Sequence, residues 1–262
     1  MTAEQQALLD QLTAALASEP RVQAAWLSGS LGRGGGDAWS DLDLTVLVAQ
    51  DDLAQVIAAF RAPRPDMPPV VFGQLVHGRI VSAVTPNWDR YDLAFVTPAE
   101  LAWLDGAALT PLLGETAPPP ARPPPEDRDA ARRVEALAAE FLRVLGLAPV
   151  AFGRGEWIVA RQGLDLLRGL LVDLMLEENG VPPGARGAKR LNPFLTAEQQ
   201  RLLEALAAPG AERRALLEAQ GEMATLFLPR ARALTKALGA AWPTEFEEAT
   251  RRRLRVALDL SI

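Results

Sequence analysis

The chain reads as an α+β protein, with an N-terminal mixed sheet flanked by helices followed by a C-terminal helical bundle. Three observations predict this. Strand-length apolar runs crowd into the first hundred residues, at 22–27, 41–48, 70–76, 79–85 and 90–96. Residues 118–125 then hold six prolines in eight positions, a composition that favours a stiff polyproline spacer over packed structure. Beyond it, apolar residues recur at helical spacing to the C-terminus. The expected organisation is a sheet domain at 1–117, a linker at 118–125 and a helical domain at 126–262.

The elements follow from local chemistry. Ala7, Leu8, Leu12, Ala15 and Leu16 mark one face of a helix over 3–18, which Pro20 ends. Asp51 and Asp52 place acids in the first turn of a helix running to about Arg61. Pro63, Pro65, Pro68 and Pro69 mark a loop. His77-Gly78 reads as the turn of a hairpin, with His77 exposed. Thr97-Pro98-Ala99-Glu100 has the order of an N-cap, a proline at the first helical position and a capping-box glutamate. In the second half, helices are expected at 127–145, 156–178, 196–207, 211–238 and 244–258, with a break at Pro229 left open.

Composition narrows the function. The 262 residues contain no cysteine and one histidine, His77, which leaves no disulfide framework, thiolate metal site or multi-histidine zinc site. The N-terminus lacks the basic-then-apolar pattern of a secretory signal. No apolar run reaches the ~18 residues a membrane span needs, so a soluble cytoplasmic protein is expected. Residues 1–125 carry 14 acidic and 7 basic side chains, whereas 126–262 carry 19 and 20. The acidic half suits a cationic or neutral acceptor better than a polyanion. No basic stripe suggests a nucleic-acid partner. The cluster Arg251, Arg252, Arg253 and Arg255 reads as a solvated helix face. Monomer and homodimer are both open.

The chemistry concentrates in 26–48, WLSGSLGRGGGDAWSDLDLTVLV. Alternate strand residues share a face, so Asp41 and Asp43 would project together while Leu42 and Leu44 turn to the core. Carboxylates that close repel unless one is protonated or a cation lies between them. Hard oxygen ligands beside phosphate suit magnesium. The Gly29-Ser30 turn offers backbone N–H groups and a hydroxyl to a phosphate tail. Arg33 either reaches that tail or is an ordinary surface arginine. Asp92, the one interior charge of RYDLAFV, is the candidate third acid, with Asp89 the weaker choice. Trp88 and Trp157 could stack on a base or sugar, but core packing is the commoner role for such residues.

Gly29 and Ser30, roughly ten residues, then Asp41 and Asp43 resemble the signature of the nucleotidyltransferase superfamily related to DNA polymerase beta. The resemblance is specific over 22–96. It implies two magnesium ions held by Asp41, Asp43 and Asp92, and a nucleoside triphosphate, ATP in the first instance, as co-substrate. It also implies transfer of the monophosphate to a hydroxyl of a small-molecule acceptor. The helical half resembles the antibiotic nucleotidyltransferases, which makes an aminoglycoside-like acceptor the first candidate. That likeness implies a catalytic or acceptor-binding role for Glu156, which is otherwise an ordinary first-turn glutamate, and a triphosphate contact for Lys189. A non-catalytic nucleotide-binding module and an enzyme modifying a protein hydroxyl are the alternatives.

Overall fold

The computed structural model describes residues 1–121, 127, 129–186, 190–206 and 208–262. The chain divides into two compact units, Met1–Pro124 and Pro125–Ile262.

The first unit opens with α1 (Ala3–Ala17), started by a complete capping box between Thr2 and Gln5. β1 (Val22–Leu27), a single helical turn α2 (Gly29–Gly32), β2 (Leu42–Val48) and α3 (Leu53–Arg61) follow. Next come β3 (Phe72–Val76), β4 (Ile80–Val84), β5 (Arg90–Val96), α4 (Pro98–Leu101) and β6 (Thr110–Leu113). The six strands form one mixed sheet in the order β3-β4-β5-β2-β1-β6. Only β2 and β5 pair in parallel; the other neighbours are antiparallel. His77 and Gly78 both take left-handed conformations at the β3–β4 turn, with φ of 49° and 70°, and His77 is exposed.

Period-two alternation decides which side of each strand is buried. Leu42, Leu44, Val46 and Val48 of β2 and Tyr91, Leu93 and Phe95 of β5 pack under α1 and α3, against Leu12, Leu16, Val56 and Phe60. The alternate residues Asp43, Thr45 and Leu47, and Asp92, Ala94 and Val96, therefore occupy the other face. There a smaller cluster of Trp26, Leu47, Leu101 and Leu109 covers the carboxyl ends of β2 and β5. The amino ends, where the aspartates sit, lie beyond it.

The second unit consists of α5 (Ala130–Arg154), α6 (Trp157–Glu178), α7 (Ala197–Ala205), α8 (Arg213–Ala237) and α9 (Thr244–Leu258). Their apolar stripes share one core, in which Phe141 and Phe227 stack with centroids 3.8 Å apart. α5 has the length and composition of a membrane-crossing helix, yet Val134, Phe141, Leu142 and Leu145 are spent on this core. Among the described residues of the unit, two carboxylates are buried. Glu177 accepts from Arg133 at 2.7 and 2.8 Å and from Arg186 at 2.5 Å. Glu247 is held by Arg232, Arg251 and the Trp242 indole.

Several sequence expectations are corrected. The first long helix of this unit does not stop at Leu145. It passes through Pro149 to Arg154, because Ala148, Ala151 and Phe152 are buried against the core and Gly155, in the left-handed region, supplies the real stop. α8 likewise runs unbroken through Pro229, with Phe227, Leu228 and Ala231 buried around it. Tertiary burial there outweighs the ~3 kcal/mol that an internal proline costs a helix. β6 was not expected; its four residues include a proline and show no alternation, and it is defined only by pairing with the outer side of β1. The proline-rich stretch is not free at its start: Gly106 N–H donates to the Pro120 carbonyl at 3.4 Å. Residues 122–126 of the expected linker lie outside the described residues. Of the arginine cluster, Arg252, Arg253 and Arg255 are exposed, as a solvated face requires, while Arg251 bonds buried Glu247.

Candidate active site

The candidate site lies on the open face of the sheet, at the amino ends of β2 and β5. Asp43 and Asp92 are direct register partners across this parallel pair. Side chains of paired residues leave the same face, so the two carboxylates stand side by side. Both are half-buried. Asp41 immediately precedes β2 and is half-buried as well. Across β5, Ser82 of β4 is the register partner of Asp92, which extends the polar row. Arg90, two residues before Asp92 and on the same face, donates to the Trp39 carbonyl at 3.4 Å.

The Gly29-Ser30 segment meets this row from β1. Ser28 donates both its N–H and its hydroxyl to the Asp43 carbonyl, at 2.7 and 3.1 Å. Gly29 then takes φ of +61°, and a Cβ there would fall 1.8 Å from Asp43 Oδ2. The segment was expected as an open turn. It is instead one helical turn, closed by Gly32 N–H to Ser28 O and Arg33 N–H to Gly29 O. This helps a phosphate reading, because the first N–H groups of a helical turn have no acceptor within it. Arg33 caps the turn with its side chain exposed.

The approach to Asp41 is braced from α1. Gln5 Nε2 donates to the carbonyls of Asp37 and Ser40, at 3.0 and 2.9 Å. Asp37 Oδ1 accepts from Trp39 N–H and the Ser40 hydroxyl. Nothing in the sequence singled out Gln5 beyond its place in the capping box. Arg90 and Ser82 were also missed, since only register brings them beside the acids.

The remaining candidates belong to other elements of the first unit, to the second unit, or to residues outside the described ones. Glu156 is the exposed N-cap residue of α6 in the second unit and makes no side-chain cap bond. Lys189 lies outside the described residues. Asp89 is tied to Thr85 through its N–H and carboxylate. Trp88 is not a core residue: it is 77% exposed, whereas Trp157 packs partly against the helical core.

Among the described residues, no three Asp, Glu or His side chains are gathered closely enough to hold a metal ion. Asp41 and Asp43 are each engaged by other groups of the chain. The donors do fit magnesium, which binds through one or two carboxylates plus phosphate oxygens. Gly29 keeps clear the space beside Asp43 Oδ2 that any side chain would fill. A cavity of about 330 Å³ lies on the opposite face, lined by Phe60, Met67, Val81 and Tyr91 among others. Burial pushes the Tyr91 hydroxyl up to about 12, so it stays neutral there.

No protein-family model matches the chain, and no curated protein matches it in sequence. Among solved structures it is similar to an aminoglycoside 6-adenyltransferase from Bacillus subtilis, at 14% identity and a TM-score of 0.47, covering 98% of this chain and 100% of that one. It is similar to a nucleotidyltransferase-like protein from Exiguobacterium sibiricum, at 14% identity and a TM-score of 0.29, covering 97% and 88%. A third similarity is to the E. coli CdnC:HORMA-deltaN complex, at 13% identity and a TM-score of 0.26, covering 94% and 90%.

Proposed function

We propose that this chain is a magnesium-dependent nucleotidyltransferase that moves AMP from ATP to a hydroxyl of a small, cationic or neutral acceptor, with an aminoglycoside-like antibiotic as the first candidate. The observation that carries the reading is the register pairing of Asp43 with Asp92, directly beside a helical turn whose Gly29 backbone approaches Asp43 closely. Two adjacent carboxylates beside the first N–H groups of a helical turn, on one sheet face, suit phosphoryl-type transfer.

In the proposed reaction the acceptor oxygen bonds to the α-phosphorus as the bond to the β-phosphate oxygen breaks. Pyrophosphate leaves, and Asp92 takes the hydroxyl proton. The N–H groups of Gly29 and Ser30 hold the departing phosphates, with Arg33 and Lys189 as further cationic contacts. Asp41 and Asp43 would hold magnesium, with Asp92 completing the set. When bound, the ion would offset phosphate charge and make the α-phosphorus more electrophilic. Glu156 is kept as an alternative base or acceptor contact. A cytoplasmic setting, where ATP and magnesium are available, suits this chemistry.

The test is release of pyrophosphate from ATP and magnesium in the presence of a panel of aminoglycosides and lincosamides. Absence of acceptor-dependent release across the panel, together with no label transfer to protein from labelled ATP in a cell lysate, would remove the reading. Label on a protein band alone would move the acceptor from small molecule to protein.

A further inference from the structure

Two tryptophans stand at matching points around the candidate site. Trp39 is four residues before Asp43, and Trp88 is four residues before Asp92. Since β2 and β5 are parallel and the two aspartates are register partners, both indoles belong to loops at the same end of the sheet, beside the open face. Trp39 is 87% exposed and Trp88 is 77% exposed. Neither contributes to a core cluster. Arg90, the first residue of β5, binds the Trp39 carbonyl and so ties the first loop to the strand that follows the second. Segments 37–43 and 88–92 together carry five aspartates against one arginine.

We infer that Trp39 and Trp88 form an aromatic clamp for the acceptor, and that the acceptor is a saturated ring bearing a protonated amine. The inference rests on the transferase reading above. Indole faces attract ammonium groups, and the attraction grows where water is displaced. The apolar face of a sugar ring packs on the same surface, and Asp37 and Asp89, which lie outside the set proposed for magnesium, add negative charge beside the two indoles. A nucleobase would also stack on indole; that occupant is an outcome of the test.

The test is isothermal titration of the full chain with kanamycin, the neutral sugar maltose, and magnesium-ATP. It compares the unaltered protein with Trp39→Ala, Trp88→Ala and Trp88→Gly. Trp103→Ala serves as control, because Trp103 is equally exposed but follows the opposite end of β5. Kanamycin should bind more tightly than maltose. Its affinity should fall roughly tenfold for each clamp indole removed, with magnesium-ATP affinity and the control unchanged. Trp88 has φ of +66°, so Trp88→Gly should hold or raise the melting temperature while losing kanamycin affinity, a split that a merely structural role would not produce. Failure of the unaltered protein to bind kanamycin, equal affinity in the clamp variants, or a loss confined to magnesium-ATP would each overturn the clamp. Clamp-dependent kanamycin binding without any pyrophosphate release would overturn the transferase reading instead.

Discussion

Gly29 presses its backbone against Asp43 so closely that a methyl group at position 29 would lie 2.8 Å from the Asp43 Cβ and 2.5 Å from its Cγ. The conflict involves the root of the aspartate, so a swing of the carboxylate alone cannot relieve it. Gly29→Ala should therefore displace Asp43 and add about 1–2 kcal/mol of left-handed strain. We expect transfer to fall by about 100-fold, as for an ångström-scale misplacement of a reacting group. Steady-state pyrophosphate release beside a thermal melt checks this. Activity within twofold of the parent would show that Asp43 need not stand where Gly29 holds it.

Asp43→Asn and Asp92→Asn should each abolish transfer without loss of fold. Each removes one of two adjacent like charges, so the melting temperature should stay the same or rise slightly. Circular dichroism melts and the pyrophosphate assay read the two halves of this expectation. Turnover retained in both variants would leave the pair without a catalytic role.

Gln5 acts on the site at a distance in sequence. Its buried carboxamide holds the Asp37 and Ser40 carbonyls, just before Asp41. Gln5→Leu keeps the bulk but strands both carbonyls, costing about 2 kcal/mol. The apparent magnesium requirement should rise as Asp41 loses its brace, with ATP affinity at saturating magnesium changing less. A magnesium titration of activity measures this, and an unchanged magnesium midpoint would count against the brace.

Glu177 supplies a pH dependence in the helical unit. Its burial raises its pKa, but the hydrogen-bonded guanidiniums of Arg133 and Arg186 outweigh this and hold it below the usual carboxylate range. A depressed folded pKa gives stability that is complete above the unfolded value, near 4.5, and lost as pH falls through the folded value. Melts taken from pH 7 to pH 3 should show that loss beginning below about 4.5. Glu177→Gln should cost about 3 kcal/mol at pH 7, by leaving two arginines facing an uncharged partner. The gap between variant and parent should close in acid. A constant gap across the range would show that the ion pairs contribute nothing through charge.

By itself, the sequence determined the fold class and most strand positions, because period-two alternation and capping chemistry are written in neighbouring residues. β5 over Arg90–Val96 and the capping box at Thr97 are wholly local patterns of this kind. The repeated spacing of Trp39 to Asp43 and Trp88 to Asp92 was also there to be read, but its meaning needed the parallel register. Tertiary structure alone decided that Asp43 and Asp92 are partners, that Gln5 reaches the loop before Asp41, and that helices continue through Pro149 and Pro229. Those outcomes depend on groups far apart in the chain, where burial of a shared core outweighs what each segment prefers alone.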